Sequence, residues 1–239
     1  MSEGFSEEKY FYLLDYMVGA VRKNYLLIVL VSSSASDKIR DDVNMDFGVS
    51  KTALSLKLCH LVYRGILDYN YDKAWDLVFE NLVYSIEEFM SLIKRAFERN
   101  ERIPCVVWDD AQLSLGVDRS HDPKITRLAN LITTLRPILS ILILNAPHMS
   151  SLCVQLRRLI NFNVIVPFRG YYKVQFLRKS LDFNNPYKTL INYEYRGESP
   201  FLPLPKDVEK RYLAWRMSHS EKLIKERGER ARKGKEKRS

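Results

Sequence analysis

Three short, apolar runs separated by helical stretches constrain this chain more than any other feature. They are YLLIVLV from Tyr25 to Val31, CVVW from Cys105 to Trp108, and ILSILIL from Ile138 to Leu144. None approaches the roughly 20 apolar residues that a membrane-crossing helix needs, and none alternates as a strand with one wet face does. Such runs are strands buried on both faces. Around them, apolar residues recur at helical spacing. FSEEKYFYLLDYMVGAVRKN reads as a helix capped by Asn24, and KTALSLKLCHLVYRG as a helix ending at Gly65. DKAWDLVFENLVY begins another at Asp72, and Ser85 with Glu88 makes a capping box for SIEEFMSLIKRAFERN. KITRLANLITTLR is stopped by Pro137, and SLCVQLRRL comes after the third strand. The pattern predicts an α/β fold, a mostly parallel sheet flanked by helices. VIVPF, YYKVQFLRKSL and KTLINYEYRG then predict a β-rich elaboration, as a hairpin or a sheet edge, and PFLPLP an extended linker. The expected organisation is a core over 1–168, a β-rich extension over 169–204 and a basic helical arm over 205–239.

Charge is distributed unevenly along this plan. The chain of 239 residues carries a formal +9, but the segment from Pro205 to Ser239 holds 13 basic and 6 acidic residues and accounts for +7 of it. The other 204 residues carry only +2. A basic terminal arm suits sequence-independent contact with a phosphate backbone, and Arg230, Arg232, Lys233 and Lys235 are the candidate DNA contacts. Its bulky apolar residues stop at Ile224, which argues against a membrane-surface helix. The acidic opening MSEGFSEEKY lacks the basic start of an export signal. Cys59, Cys105 and Cys153 are widely spaced in apolar surroundings, as buried thiols in a reducing compartment are. A cytoplasmic protein is expected.

Sites in α/β sheets lie beyond the carboxyl ends of strands. After CVVW come Asp109 and Asp110. The first suits a magnesium ion held through water, the second a base or positioner for an attacking water. After ILSILIL comes Asn145, able to bond a γ-phosphate or that water. The missing part is a phosphate loop after the first strand, with the pattern G-x-x-x-x-G-K-[ST]. Ser50, Lys51 and Thr52 occupy its end, with Lys51 and Thr52 opening a helix, but Ser50 fills one glycine slot and Met45 the other. The strand ends at Val31 and thirteen residues intervene. Deleting residues 37–49 leaves SSSAS-SKT, a phosphate loop of normal length with serines in place of glycines. The insert carries Asp37, Asp41, Asp42 and Asp46 against Lys38 and Arg40, a charge that repels a triphosphate unless it folds outward.

On these residues the chain resembles the AAA+-like P-loop ATPases encoded by archaeal spindle-shaped viruses (fuselloviruses) and related plasmids. The stretches that carry the resemblance are LLIVLV, SKTALSLKLCHLVY, DKAWDLVFENLVYSIEEFMSLIKRAFERNERIPCVVWDDA, LILNAP and KDVEKRY. It implies a P-loop NTPase-like core using ATP with Mg2+. Phosphates would be bound by Ser50, Lys51 and Thr52, the metal by Thr52 and Asp109, with Asp110 and Asn145 as catalytic residues. It also implies an oligomer, homomeric or heteromeric, acting on DNA in replication or maintenance. Arg136, Arg157 and Arg158 are candidates for an arginine finger from a neighbouring subunit. The serine-filled loop keeps a second reading open: the same fold without hydrolysis, serving as a DNA- or partner-binding scaffold.

Other features are read structurally. FGVSKTALSLKLCHLVYRG has the opening of a DNA-recognition helix, but it is apolar almost all round, which fits a sheet-covering helix instead. The four histidines have no acid or cysteine at ligand spacing. No nucleophile elbow occurs. The aromatic residues of FRGYYKVQF and INYEYRG suit strands as well as base stacking.

Overall fold

The computed structural model describes residues 11–33, 49–166, 171–178, 190–198 and 203–236. The chain divides into two units, 1–202 and 203–239.

In the first unit, helix α1 (Phe11–Arg22) precedes strand β1 (Leu27–Ser33), joined through Asn24 in the left-handed region at φ 56°. Helix α2 (Val49–Leu61) runs into a π-helical turn (Val62–Ile66), and is followed by α3 (Tyr71–Glu80), β2 (Leu82–Val83), α4 (Ile86–Glu98) and β3 (Ile103–Trp108). Then come the short α5 (Gln112–Leu115), α6 (Pro123–Thr134), β4 (Leu139–Asn145), the short α7 (Val154–Arg157), β5 (Phe162–Val166), β6 (Tyr171–Arg178) and β7 (Leu190–Glu198).

Among the described residues these strands form one sheet in the order β2-β3-β4-β1-β5-β6-β7. The pairings from β2 through β5 are parallel, while β6 and β7 join antiparallel at the β5 side. The expected α/β class, with an added antiparallel elaboration, is therefore observed. Strand β4 lies between β1 and β3, so the ends of all three strands meet at adjacent positions.

Strict alternation assigns each strand residue to one of two covered faces. Ile28 and Leu30 of β1, Val106 and Trp108 of β3, and Leu142 and Leu144 of β4 share one core with Phe89, Leu92 and Ile93 of α4 and with Ile125, Leu128 and Ile132 of α6. The intervening residues face α1 and α2. On that side Tyr16 of α1 packs edge-on against Phe162, with ring centres 5.1 Å apart, and stacks on Phe176 at 5.5 Å. Tyr63, in the π-helical turn, is fully buried and donates to the Cys105 carbonyl at 3.0 Å. Burial pushes its phenol well above the usual range.

Local signals account for the helix starts. Ser85 accepts from the Glu88 N–H at 3.2 Å, while the Glu88 carboxylate accepts from the Tyr84 N–H at 2.9 Å. Asn70 caps α3, and Asp122 with Pro123 opens α6.

Four sequence expectations need correction. Strand β1 continues through Ser32 and Ser33, beyond Val31, because both pair with β5. Helix α2 is already helical at Val49, ahead of the expected Lys51, and residues 34–48, which hold most of the 37–49 insert, lie outside the described residues. The helix from Asp72 does not reach Tyr84: it ends at Glu80, and Leu82–Val83 pairs with β3 as an edge strand. SLCVQLRRL keeps only one helical turn, Val154–Arg157.

The second unit is dominated by α8 (Lys206–Glu236). Within it Tyr212, Trp215 and His219 form an aromatic ladder, with His219 4.1 Å from the Trp215 ring. Among the described residues no helix is long and apolar enough to cross a membrane.

Candidate functional site

The sequence candidates of the core converge at the carboxyl ends of β1, β3 and β4. Backbone bonds lock these ends together. The Ala111 N–H donates to the Asn145 carbonyl at 2.8 Å, Ala146 N–H to Val31 at 3.1 Å, and Ser33 N–H to Pro147 at 2.9 Å. The residues just beyond each strand are thereby held in register with those beyond its neighbour.

Asn145 is the last residue of β4, and Asp109 immediately succeeds β3. Ser50, Lys51 and Thr52 lie in the first described turn of α2. Because α2 packs against β1, β3 and β4, its first turn is delivered to the strand ends.

Asp109 is the centre of a hydrogen-bonded cluster. The Thr52 hydroxyl donates to Asp109 Oδ1 at 2.9 Å, and Asn145 Nδ2 donates to the same oxygen at 3.0 Å. Ser55 Oγ donates in turn to Asn145 Oδ1. All four residues are buried, Asp109 at 1% exposure. A carboxylate so far from water needs donors in place of its hydration, and bonds to an ionised acceptor are the stronger kind. Nearby, Lys51 Nζ donates to Ser33 Oγ at 2.7 Å, tying the first turn of α2 to the end of β1.

Asp110 is half-buried in the left-handed region at φ 45°, a conformation that aspartate tolerates better than most residues. Its carbonyl accepts from the Leu113 N–H at 2.9 Å and starts the turn into α5.

The donor set fits a hard divalent cation beside a phosphate chain. Hydroxyl and carboxylate oxygens suit Mg2+, which takes one or two protein carboxylates and fills its remaining positions with phosphate and water. The Thr52 hydroxyl and the Asp109 carboxylate are the oxygens that could hold such an ion, with Lys51 on the same helical turn. Among the described residues no group of three or more His, Cys, Asp or Glu is arranged to hold a metal.

Ser55 is an addition that the sequence candidates do not include, and Ser33, read from the sequence within the SSSAS half of a split phosphate loop, is instead part of β1. Ser55 stands three residues after Thr52, one helical turn along the same face, and that spacing is its available signal.

The remaining candidates lie elsewhere. Arg136 donates from Nε to the Asn24 carbonyl at 2.8 Å, at the amino ends of the strands, opposite Asp109. Arg157 and Arg158 lie at the end of α7, and Arg157 Nε is buried without a hydrogen-bond partner among the described residues. The segment with the opening of a recognition helix is α2, whose Ala53, Leu54, Leu56, Leu58 and Cys59 are buried, as a sheet-covering helix requires. His60 is half-buried and stacks on Trp75, with ring centres 4.2 Å apart. Arg230, Arg232, Lys233 and Lys235 fall on the last part of α8, where only the backbone is described.

No family model matches the chain. It is 23% identical over 194 residues to uncharacterized protein B-251 of Sulfolobus spindle-shape virus 1, a match covering 75% of this chain and 74% of that one. Among solved structures, the N-terminal domain of zonular occludens toxin from Neisseria meningitidis aligns with a TM-score of 0.43 at 13% identity, over 78% of this chain and 98% of that one.

Proposed function

We propose that the α/β unit binds a magnesium nucleoside triphosphate, ATP being the expected one, at the first turn of α2. One observation carries this reading: Thr52 and Asn145 both donate to the buried Asp109. A helix-opening Lys-Thr pair, held against an acid at a neighbouring strand end, serves phosphate and metal together. Lys51 and the N–H groups of the first turn bind phosphate oxygens, with Ser50 beside them. Thr52 and Asp109 hold the divalent ion, which when bound neutralises phosphate charge. Asn145 keeps the Asp109 carboxylate aimed at Thr52. Asp110, next in the chain, orients or deprotonates the attacking water.

The setting of this activity is DNA replication or maintenance of an archaeal mobile element, in an oligomer. Its support is the family resemblance of the motifs together with the similarity to a spindle-shaped virus protein. The basic end of α8 supplies the DNA contact.

A second reading has its own observation. Serines stand in the glycine slots, and Lys51 is bonded to one of the serines at the end of β1. That arrangement suits a core that has lost hydrolysis and serves as a scaffold. Calorimetric titration of Mg-ATP into the wild type and Lys51→Ala separates the two. Binding abolished in the variant alone supports the nucleotide site. The absence of heat from both proteins sinks it and leaves the scaffold.

A further inference from the structure

We propose that Ser55 is a positioning residue, one that anchors the oxygen end of the Asn145 amide and so steadies the amide whose nitrogen donates to Asp109; as a statement about a nucleotide site, this rests on the reading above. The cluster is a chain of donors with one sense. Ser55 Oγ–H donates to Asn145 Oδ1, Asn145 Nδ2–H donates to Asp109 Oδ1, and the Thr52 hydroxyl donates to the same carboxylate oxygen from the other side. A primary amide rotated by half a turn presents oxygen where nitrogen stood. Here such a rotation would set Asn145 Oδ1 against the Asp109 carboxylate, two acceptors with no proton between them. Ser55 is 0% exposed and Asn145 2%, so water is poorly placed to relieve that contact.

Asp109, which can only accept, sets the orientation of the amide, and the Ser55 hydroxyl anchors its oxygen end by donating to Oδ1. Removing the hydroxyl leaves Asn145 Oδ1 buried without this donor and loosens the group that steadies the metal-side carboxylate. Ser55 touches neither phosphate nor metal; it acts through Asn145. The helix makes the arrangement compact, since Thr52 and Ser55 project from adjacent turns of one face and reach Asp109 and Asn145 on neighbouring strand ends.

The test uses the 15N-labelled full chain and the side-chain amide signals of Asn145, assigned by their disappearance in Asn145→Ala. Three variants at Ser55 are compared: Ala removes the hydroxyl, Cys keeps the shape with a weak donor, and Thr keeps the hydroxyl. The expected result is that Ser55→Ala and Ser55→Cys shift the Asn145 signals and speed their exchange with solvent about tenfold, the effect of removing one hydrogen bond. Ser55→Thr retains slow exchange. If the Ala variant does not fold, the Cys and Thr comparison decides. Asn145 signals in Ser55→Cys indistinguishable from wild type would overturn the assignment. The same wild-type sample is then titrated with Mg-ATP. No response of any resonance overturns the nucleotide reading, which is a separate outcome from an Asn145 that is indifferent to Ser55.

Discussion

Thr52 and Asp109 are 57 residues apart in sequence, yet the threonine hydroxyl lies 2.9 Å from the buried aspartate oxygen. The pair joins the first turn of α2 to the end of β3, and so depends on the parallel sheet being assembled. It measures the integrity of the fold and of the site together.

Thr52→Val removes a donor from a buried carboxylate while keeping the side chain's shape. The cost of leaving such a group short of a partner is about 1–3 kcal/mol. A double-mutant cycle with Asp109→Asn, read by chemical denaturation, should give a coupling of about 0.5–3 kcal/mol between the two positions. Additive effects would mean that the bond contributes nothing.

His60 makes stability depend on pH. Its desolvation between α2 and α3, chiefly, and the nearby charges of Arg64 and Lys57 hold its pKa below 6.5, outweighing a backbone hydrogen bond at Tyr71 that acts the other way. The unfolded chain therefore binds the proton more readily. The contribution of His60 is fully present above about pH 6.5 and is lost as pH falls toward the folded value. Denaturant midpoints should fall with acidification through this window, and His60→Phe should flatten the dependence. An unchanged slope in the variant would assign the effect to other groups.

Phe89 is 0% exposed, and its ring centre lies 4.9 Å from that of Trp108, the residue before Asp109. Phe89→Ala opens a cavity beneath the site strand and should cost about 3–5 kcal/mol, read as a lower denaturation midpoint. Phe89→Leu should cost markedly less. Equal losses would show that packing under Trp108 is not the cause.

The DNA contact proposed for α8 is electrostatic, so its signature is a salt slope. Neutralising Arg230, Arg232, Lys233 and Lys235 to glutamine should weaken duplex binding regardless of sequence. The slope of log K against log salt should drop by about 0.9 for each phosphate no longer neutralised. A slope unchanged by all four substitutions, or by removal of 205–239, places the DNA contact elsewhere.

The three central strands were legible because each is buried on both faces and therefore written as a nearly continuous apolar run, broken in β4 by Ser140. The Ser85–Glu88 cap was legible because capping is local. Other features depend on partners distant in sequence. Ser32 reads as a turn residue until its hydroxyl is seen to donate to Asn163 Oδ1 at 2.8 Å, with Asn163 donating on to Gln175 at 3.1 Å. Those bonds allow a polar residue inside a strand. The two residues of β2 are too few to show any period, and only pairing with β3 defines them. At the site, Lys51, Thr52, Asp109 and Asn145 stood out by residue type next to strand or helix ends. Ser55 did not, because its spacing from Thr52 is the one signal it carries, and that gains meaning only once its acceptor, Asn145, is known.

Electron paramagnetic resonance, with Mn2+ replacing Mg2+, asks whether Thr52 and Asp109 hold a divalent ion together with a nucleotide. The free Mn2+ signal is followed as protein is added with and without ATP. Wild-type protein is expected to broaden and remove the Mn-ATP signal, with ATP required for this, and Thr52→Val and Asp109→Asn should each weaken the effect. A Mn-ATP signal unaffected by wild-type protein, or equally affected by all three proteins, would contradict a shared metal and nucleotide site at these residues.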